Sequence, residues 1–483
     1  MASIGGFPGP RLIVHPMHPS RSYFGLAGRL CRRGRTGVSS DGEDFGTKSK
    51  IPAILCLMND PVSPSGTAHQ TRSRRALVRD LATATAALIG FGGSSARSEQ
   101  SPSPGPPSNS PSQTRSVQDL KNLPDAHNSF GLKAIKLLYR EEQNENVFIS
   151  PLSIAFALSM ALNGAHGETK SAMQNTLQFQ NLDLSVVNQG SLSLIRRLKN
   201  PDPNVELFVA NSVWTRKGMP VEEEFLSVVK DYYNAEASVL DFSSRSAADT
   251  INLWVNKSTR GKIPSIVQQI SPRMVMYLIN AVYFKGNWAI KFDNRLTQDR
   301  PFTPAEGAPK NHPLMRREGA LPYFQTEDFQ TVRLSYGKNK CVAMYVFLPK
   351  NLESFVEDLD ANKWHDWMRR YRETQGTILL PRFKMQYEKE LRGVLAQLGR
   401  GIAFTAQADF TGIGNGSFIS EVRHKAYIHV DEEGTEAAAA TGVGMITSVP
   451  KNTFYMEVNR PFFFAIGDSA TNEILLMGIV QNP

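Results

Sequence analysis

The chain has 483 residues and a formal net charge of +9. Residues 1–115 hold 14 Lys+Arg against 6 Asp+Glu, and the rest holds 54−14 = 40 against 45−6 = 39, so the basic excess is N-terminal. A nucleic-acid-binding body carries its basic excess on the folded part, which excludes nucleic acid as its partner; of the three cysteines only Cys341 lies beyond residue 115, which excludes a disulfide framework within the body.

Residues 1–57 show no sustained period, and either Met1 or Met58 serves as the start. From Ser73 the order changes: Arg74-Arg75, an apolar segment from Leu81 to Phe91, then small Ser94, Ser95 and Ala96. This is the layout of an export signal of the twin-arginine kind. At about 11 residues the apolar segment is too short to span a bilayer. We expect residues 1–96 to be an N-terminal extension with a Tat-like signal at 73–96, and a mature protein exported to the periplasm or extracellular space without a membrane span. Residues 97–115 are rich in Ser and Pro and read as a disordered tether, leaving 116–483 as the folded body.

The body opens with an amphipathic helix, with Phe130, Ala134, Leu137 and Leu138 on one face. Ser150-Pro151 opens a second helix, with Ser as N-cap, Pro at the first helical position, and Ile154, Leu158, Ala161 and Leu162 as a buried stripe. Val205–Trp214, Leu278–Phe284 and Val342–Pro349 are apolar on both alternating sets, which predicts strands covered on both faces. Cys341, at the head of the last run, reads as a buried thiol. Phe462 to Val480 reads as two strands joined by a turn at Asp468 to Asn472. Helices dominate early and strands late, an α+β arrangement. The clusters Arg196, Arg197, Lys199 and Arg369, Arg370, Arg372 read as solvated helix faces.

Motifs for catalysis are missing. There is no GxSxG, HExxH, GxxxxGK[ST] or CxxC. No two body histidines stand four apart, and His424 and His429 fall on opposite faces of one strand. We expect no enzyme, no metal site and no cofactor.

The most informative stretch is Glu432-Glu433-Gly434-Thr435-Glu436 followed by Ala437, Ala438, Ala439 and Ala440. It is poor as a fixed strand and too interrupted by Gly442, Gly444 and Pro450 for a good helix. Small side chains do permit a segment to slide between two packed strands. With NVFISPLSIAFALSMALNGA (146–165), INLWVNKSTRGKI (251–263), LINAVYFKGNW (278–288), LLPRFKM (379–385), LGRGIAFTAQADFTGI (398–413), HKAYIHVDEEGTEAAAATG (424–442) and MEVNRPFFFAI (456–466), it resembles the serpin family, and a bacterial-type exported member.

The resemblance implies a serpin fold: helices packed around three β-sheets, with an exposed reactive-centre loop. It implies an irreversible suicide-substrate inhibitor of serine or cysteine proteases. The target cleaves the loop once, the loop enters the main sheet, and the acylated protease is trapped. The native state is then held by a kinetic barrier. Glu432 to Ala440 match the hinge, Ser150, Ser153, Asn280 and His424 the shutter beneath the parting strands, and Trp288 the breach where insertion starts. Counting from Glu432 puts the scissile bond at Ser448-Val449, preceded by Met445, Ile446 and Thr447. Counting back from Asn459 lands near Pro450. With no basic residue from Gly434 to Pro450, a subtilisin-, elastase- or chymotrypsin-like target fits better than a trypsin-like one, and the inhibitor acts as a monomer. Gly442 and Gly444 depart from the family's usual branched residues and keep a second reading open, a non-inhibitory binding or chaperone protein.

Overall fold

A computed structural model describes residues 111–199, 201–435 and 453–483. The export signal, the Ser/Pro tether up to residue 110, Glu436 to Ala440, and the expected scissile segment Met445 to Val449 lie outside these residues.

Helices dominate the first part: α1 (Pro111–Glu141), α2 (Pro151–Leu162), α3 (Gly167–Leu177), α4 (Leu184–Lys199), α5 (Glu223–Tyr233) and α6 (Ala247–Ser258). Later come α7 (Leu352–Asp358), α8 (Ala361–Met368) and α9 (Arg392–Gly399). The strands are β1 (Val147–Ile149), β2 (Val205–Arg216), β3 (Glu236–Leu240), β4 (Met276–Asn287), β5 (Gln298–Phe302), β6 (Lys310–Gln325), β7 (Phe329–Tyr336), β8 (Val342–Pro349), β9 (Arg372–Pro381), β10 (Phe383–Glu390), β11 (Ile419–Val430), β12 (Gly434–Thr435), β13 (Thr453–Glu457), β14 (Phe462–Asp468) and β15 (Ile474–Val480).

Helix α2 shows why sequence sets this architecture. The Ser150 side chain accepts from the Ser153 N–H, and Pro151 occupies a first-turn position where no N–H is needed. All twelve residues of α2 are buried, as an all-round apolar helix must be. It packs beneath β2 and β4 on one side and against β15 on the other. Strand β8 is buried throughout, and β4 from Met276 to Phe284, matching their unbroken apolar runs.

Three expectations need correction. Helix α1 begins at Pro111, five residues inside the expected tether. Proline at a helix start has no hydrogen bond to lose and a preset φ, so the end of the Ser/Pro segment is recruited. Secondly, the described strands form two hydrogen-bonded networks rather than three sheets: one ordered β10-β11-β12-β4-β2-β3, the other β1-β15-β14-β8-β7-β6-β9-β13 with β5 on β6. The cause is β6, sixteen residues long. Leu314 to Tyr323 pair with β9, while Tyr323 to Gln325 pair with β7, which fuses two smaller sheets into one ladder. Thirdly, Cys341 is half-buried, because it sits in the turn before β8, with Sγ 3.7 Å from the Asn339 carbonyl.

Candidate functional site: the seam between β11 and β4

Strands β11 and β4 lie side by side and parallel from Ile419 opposite Met276 to Tyr427 opposite Tyr283. Above that point they separate, and β12 stands between them. Gly434 and Thr435 pair antiparallel with Asn287 and Gly286 of β4, and Thr435 also faces Val430 of β11. Val430 and Gly286 therefore stand level, an offset of 430−286 = 144. Lower down His424 stands level with Asn280, an offset of 424−280 = 144. The wedge has moved the two strands apart without sliding one along the other.

The root of the wedge is fastened from several sides. The backbone N–H groups of Trp288 and Phe292 donate to the carbonyls of Glu433 and Glu432, each at 3.0 Å. The Trp288 indole donates to the Asp431 carbonyl at 2.8 Å and stacks on Tyr336 at 4.4 Å. Glu432 is 2% exposed. Its carboxylate accepts two bonds from Arg382 Nε at 2.9 Å, one from Nη2 at 2.6 Å, and one from the Thr297 hydroxyl. Glu433 pairs with Lys291. Such charge-assisted, forked contacts are the strong class of hydrogen bond. Gly434 has φ +150°, and a Cβ there would lie 2.1 Å from the Gly286 carbonyl oxygen, so only glycine passes at this point. Thr435 is fully buried, with its hydroxyl 2.9 Å from that of Tyr336. Burial holds the Tyr336 phenol well above its ordinary range, so this contact joins two neutral hydroxyls.

Below the wedge a polar line crosses the seam. His424 Nδ1 donates to Asn280 Oδ1, and Asn280 Nδ2 donates to Ser153 Oγ on α2 and to Asn211 Oδ1 on β2. His424 Nε2 accepts from the Ser150 N–H at 3.3 Å, and the Ser150 hydroxyl donates to the Leu475 carbonyl at 2.7 Å. All five side chains are at least 96% buried. Both ring nitrogens are thus used by the neutral imidazole, and burial pushes its pKa down to about 3.

Ser150, Ser153, Asn280 and His424 are thus gathered in one network, and Trp288 lies at the root of the wedge. Sequence reasoning missed Asn211, Tyr336 and Arg382. Asn211 enters because β2 sets it directly opposite Asn280, a pairing with no local signal. Among the described residues no group of three or more His, Cys, Asp or Glu is placed to hold a metal, and no helix is long and apolar enough to cross a membrane.

The buried imidazole carries a pH prediction. In the unfolded chain a histidine takes its proton near 6.5, whereas the folded chain refuses it down to about 3. Above pH 6.5 neither state binds it. As pH falls below 6.5 the unfolded state gains protons first, so stability falls with pH. At pH 5 the loss is about 2 kcal/mol. Urea unfolding of wild type and His424→Gln at pH 7 and pH 5 tests this. The variant is expected to lose about 2 kcal/mol less than wild type between the two; an equal loss in both would show that His424 does not titrate this way.

Comparison with known proteins places this geometry. A family profile described as "Serpin (serine protease inhibitor)" matches residues 125–483. A serpin-like protein of Thermococcus kodakarensis is 36% identical over 375 residues, covering 75% of this chain and 86% of that protein. Serpin B11 of Homo sapiens is 33% identical, covering 75% and 100%. The solved structure of human thyroxine-binding globulin with its thyroxine superposes with a TM-score of 0.70 at 28% identity, covering 76% of this chain and 99% of that one. The chain belongs to the serpin family, whose members are typically protease inhibitors. These relatives are archaeal and human, so they lend no support to the narrower bacterial-type grouping.

Proposed function

We propose that the protein is an irreversible suicide-substrate inhibitor of serine proteases, acting by loop cleavage and insertion into the seam between β11 and β4. One observation carries the reading: β12 already forms the first two residues of a central antiparallel strand, and the flanking strands keep their mutual register around it.

Extending that register describes the inserted state. A residue n falls opposite 721−n in β4 and, as far as Glu421, opposite 865−n in β11, from Thr435 opposite Gly286 and Val430. Met445 would meet Met276, the first residue of β4, and also Ile419, the first of β11, because an irregularity between Ile419 and Glu421 sets Ile419 level with Met276. The inserting strand thus runs out at 445, just before the proposed scissile bond Ser448-Val449. Side chains alternate, so Thr435, Ala437, Ala439, Thr441, Val443 and Met445 would face the core, and Glu436 would face outward. A slip of one residue would bury Glu436 instead. Thr441 would stand between Asn280 and His424, where its hydroxyl can take over the polar contact that crosses the seam.

The target is a protease with a small or apolar specificity pocket. A trypsin-like pocket holds a buried carboxylate that Ser448 leaves unpaired, a heavy penalty in transition-state binding. Incubation with subtilisin, elastase, chymotrypsin and trypsin, followed by denaturing electrophoresis and mass spectrometry, tests this. The expected result is a covalent band with a non-trypsin enzyme and a released peptide starting at Val449 or one residue either side. A stable trypsin complex releasing a peptide that starts at Asn452 would overturn the assignment of the bond. Cleavage by every enzyme with no covalent band would favour the binding-protein reading, for which thyroxine-binding globulin is the structural precedent.

A further inference from the structure

One row of charges on the outer face of the sheet lacks its middle. Strand β10 sets Lys384 directly opposite His429 of β11, and β2 sets Glu206 directly opposite Lys285 of β4. Residues directly opposite share a face. The two pairs stand level, because 429−285 = 144 is the offset that His424 keeps with Asn280. Burial identifies the face: Val430, Phe284 and Gly286 are buried, whereas His429, Lys285 and Glu206 are half-buried and Lys384 is exposed. Beyond Glu206 the row ends on Arg260, whose guanidinium pairs with the Glu206 carboxylate at 2.9 Å. Across the sheet the order is Lys384, His429, the seam, Lys285, Glu206, Arg260.

Two basic side chains thus border the seam, one from each side, and neither His429 nor Lys285 is in an ion pair among the described residues. The other charges nearby are engaged elsewhere. Asp431, two residues along β11 on the same face, accepts from the backbone N–H groups of Glu433 and Gly434 at 2.9 and 3.2 Å. Glu433 pairs with Lys291, and Lys262, in the segment after α6, lies over the Tyr283 ring at 5.6 Å. Lys384 stands over the Tyr427 ring, also at 5.6 Å.

The inserted strand supplies the missing member. Residue 436 falls opposite 721−436 = 285 in β4 and 865−436 = 429 in β11, and it faces outward because Thr435 faces in. We propose that Lys285 and His429 are positioning residues for insertion, which hold the Glu436 carboxylate between them as the first new rung forms. This rests on the inhibitory reading above and adds a regulation to it: insertion is helped by acid. Glu436 directly follows the two residues already paired, so its contact forms at the start of strand entry and acts on the rate. A histidine beside a new carboxylate keeps its proton to higher pH. Insertion therefore takes up protons, and lowering the pH from 8 to 6 favours it. The stabilisation is complete where His429 is protonated before insertion, and it fades as pH rises past the point at which the inserted form releases its proton. A register one residue out would place an uncharged side chain between the two basic groups, so the same contact fixes the register.

The test compares intact protein with protein nicked between Ala440 and Pro450 by a protease that it does not inhibit. NMR of carbon-13-labelled histidine follows the imidazole, with His429→Gln assigning the resonance, and circular dichroism follows the melting midpoint. On nicking, the His429 titration midpoint is expected to rise by about half a pH unit, and to stay where it was in nicked Glu436→Gln. In the target reaction, Glu436→Gln should lower the yield of covalent complex relative to wild type about fivefold at pH 6 and about twofold at pH 8. His429→Gln should lower it at pH 6 alone. Taking each yield relative to wild type at the same pH cancels the protease's own pH dependence. A raised melting midpoint with an unmoved His429 titration would overturn this proposal and leave the inhibitory reading standing, whereas an unmoved melting midpoint would overturn both. Equal relative yields of Glu436→Gln at the two pH values would overturn it as well.

Discussion

Thr435→Arg is expected to convert the protein from inhibitor to substrate. In wild type the Thr435 side chain is fully buried at the head of the seam, against the Tyr336 hydroxyl. A guanidinium in that place, with no carboxylate to meet it, costs several kcal/mol. The native state escapes most of this cost by letting Gly434 and Thr435 withdraw from the wedge. The inserted state cannot, because residue 435 is then the fixed first rung of a strand. The substitution therefore raises the energy of insertion selectively, and deacylation of the protease overtakes it. Every 1.4 kcal/mol shifts this partition by about tenfold, so the covalent yield should fall by about a hundredfold while cleavage continues. Thr435→Ser keeps the hydroxyl and should restore the complex. A Thr435→Arg protein that still traps its target in full yield would disprove the placement of the hinge.

Cleavage of the loop is expected to raise the thermal midpoint by at least about 10 °C. Insertion replaces the parallel contact between β11 and β4 with two antiparallel ladders, which are the stronger kind per residue. It also buries the small side chains of Ala437, Ala439 and Val443. In a domain of this size each kcal/mol moves the midpoint by about 2 °C, so a gain of several kcal/mol is easily resolved. The protein is nicked between Ala440 and Pro450 with a protease that it does not inhibit, and the midpoints of intact and nicked samples are compared by circular dichroism. A nicked protein that melts at or below the intact midpoint would remove the insertion mechanism for this chain.

Local chemistry made the elements legible. Ser150 and Pro151 announce α2 because capping acts within four residues, and the apolar run of β4 announces a covered strand. The proposed hinge stood out because a run of alanines after two glutamates fits neither regular structure well. What sequence could not show is what distant strands bring together. Asn211, Asn280 and His424 are ordinary polar residues, each on its own strand, until registers align them across the sheet. Arg382 lies in LLPRFKM, at the single residue between β9 and β10, and becomes the anchor of Glu432 only through the fold. The fused nine-stranded network was hidden for the same reason, since the length of β6 shows in the sequence but the change of partner at Tyr323 does not.

The stack of Trp288 on Tyr336 makes the molecule its own optical gauge. The indole N–H is tied to Asp431, at the root of the segment proposed to lengthen on insertion, and the ring lies against the tyrosine that greets Thr435. The four other tryptophans sit in β2, α6 and α8, away from the wedge. Emission from Trp288 is therefore expected to follow the state of the proposed hinge, and a Trp288→Phe control isolates its share. The time course of strand entry can be read from unlabelled protein, in the same cuvette as the protease reaction that triggers it.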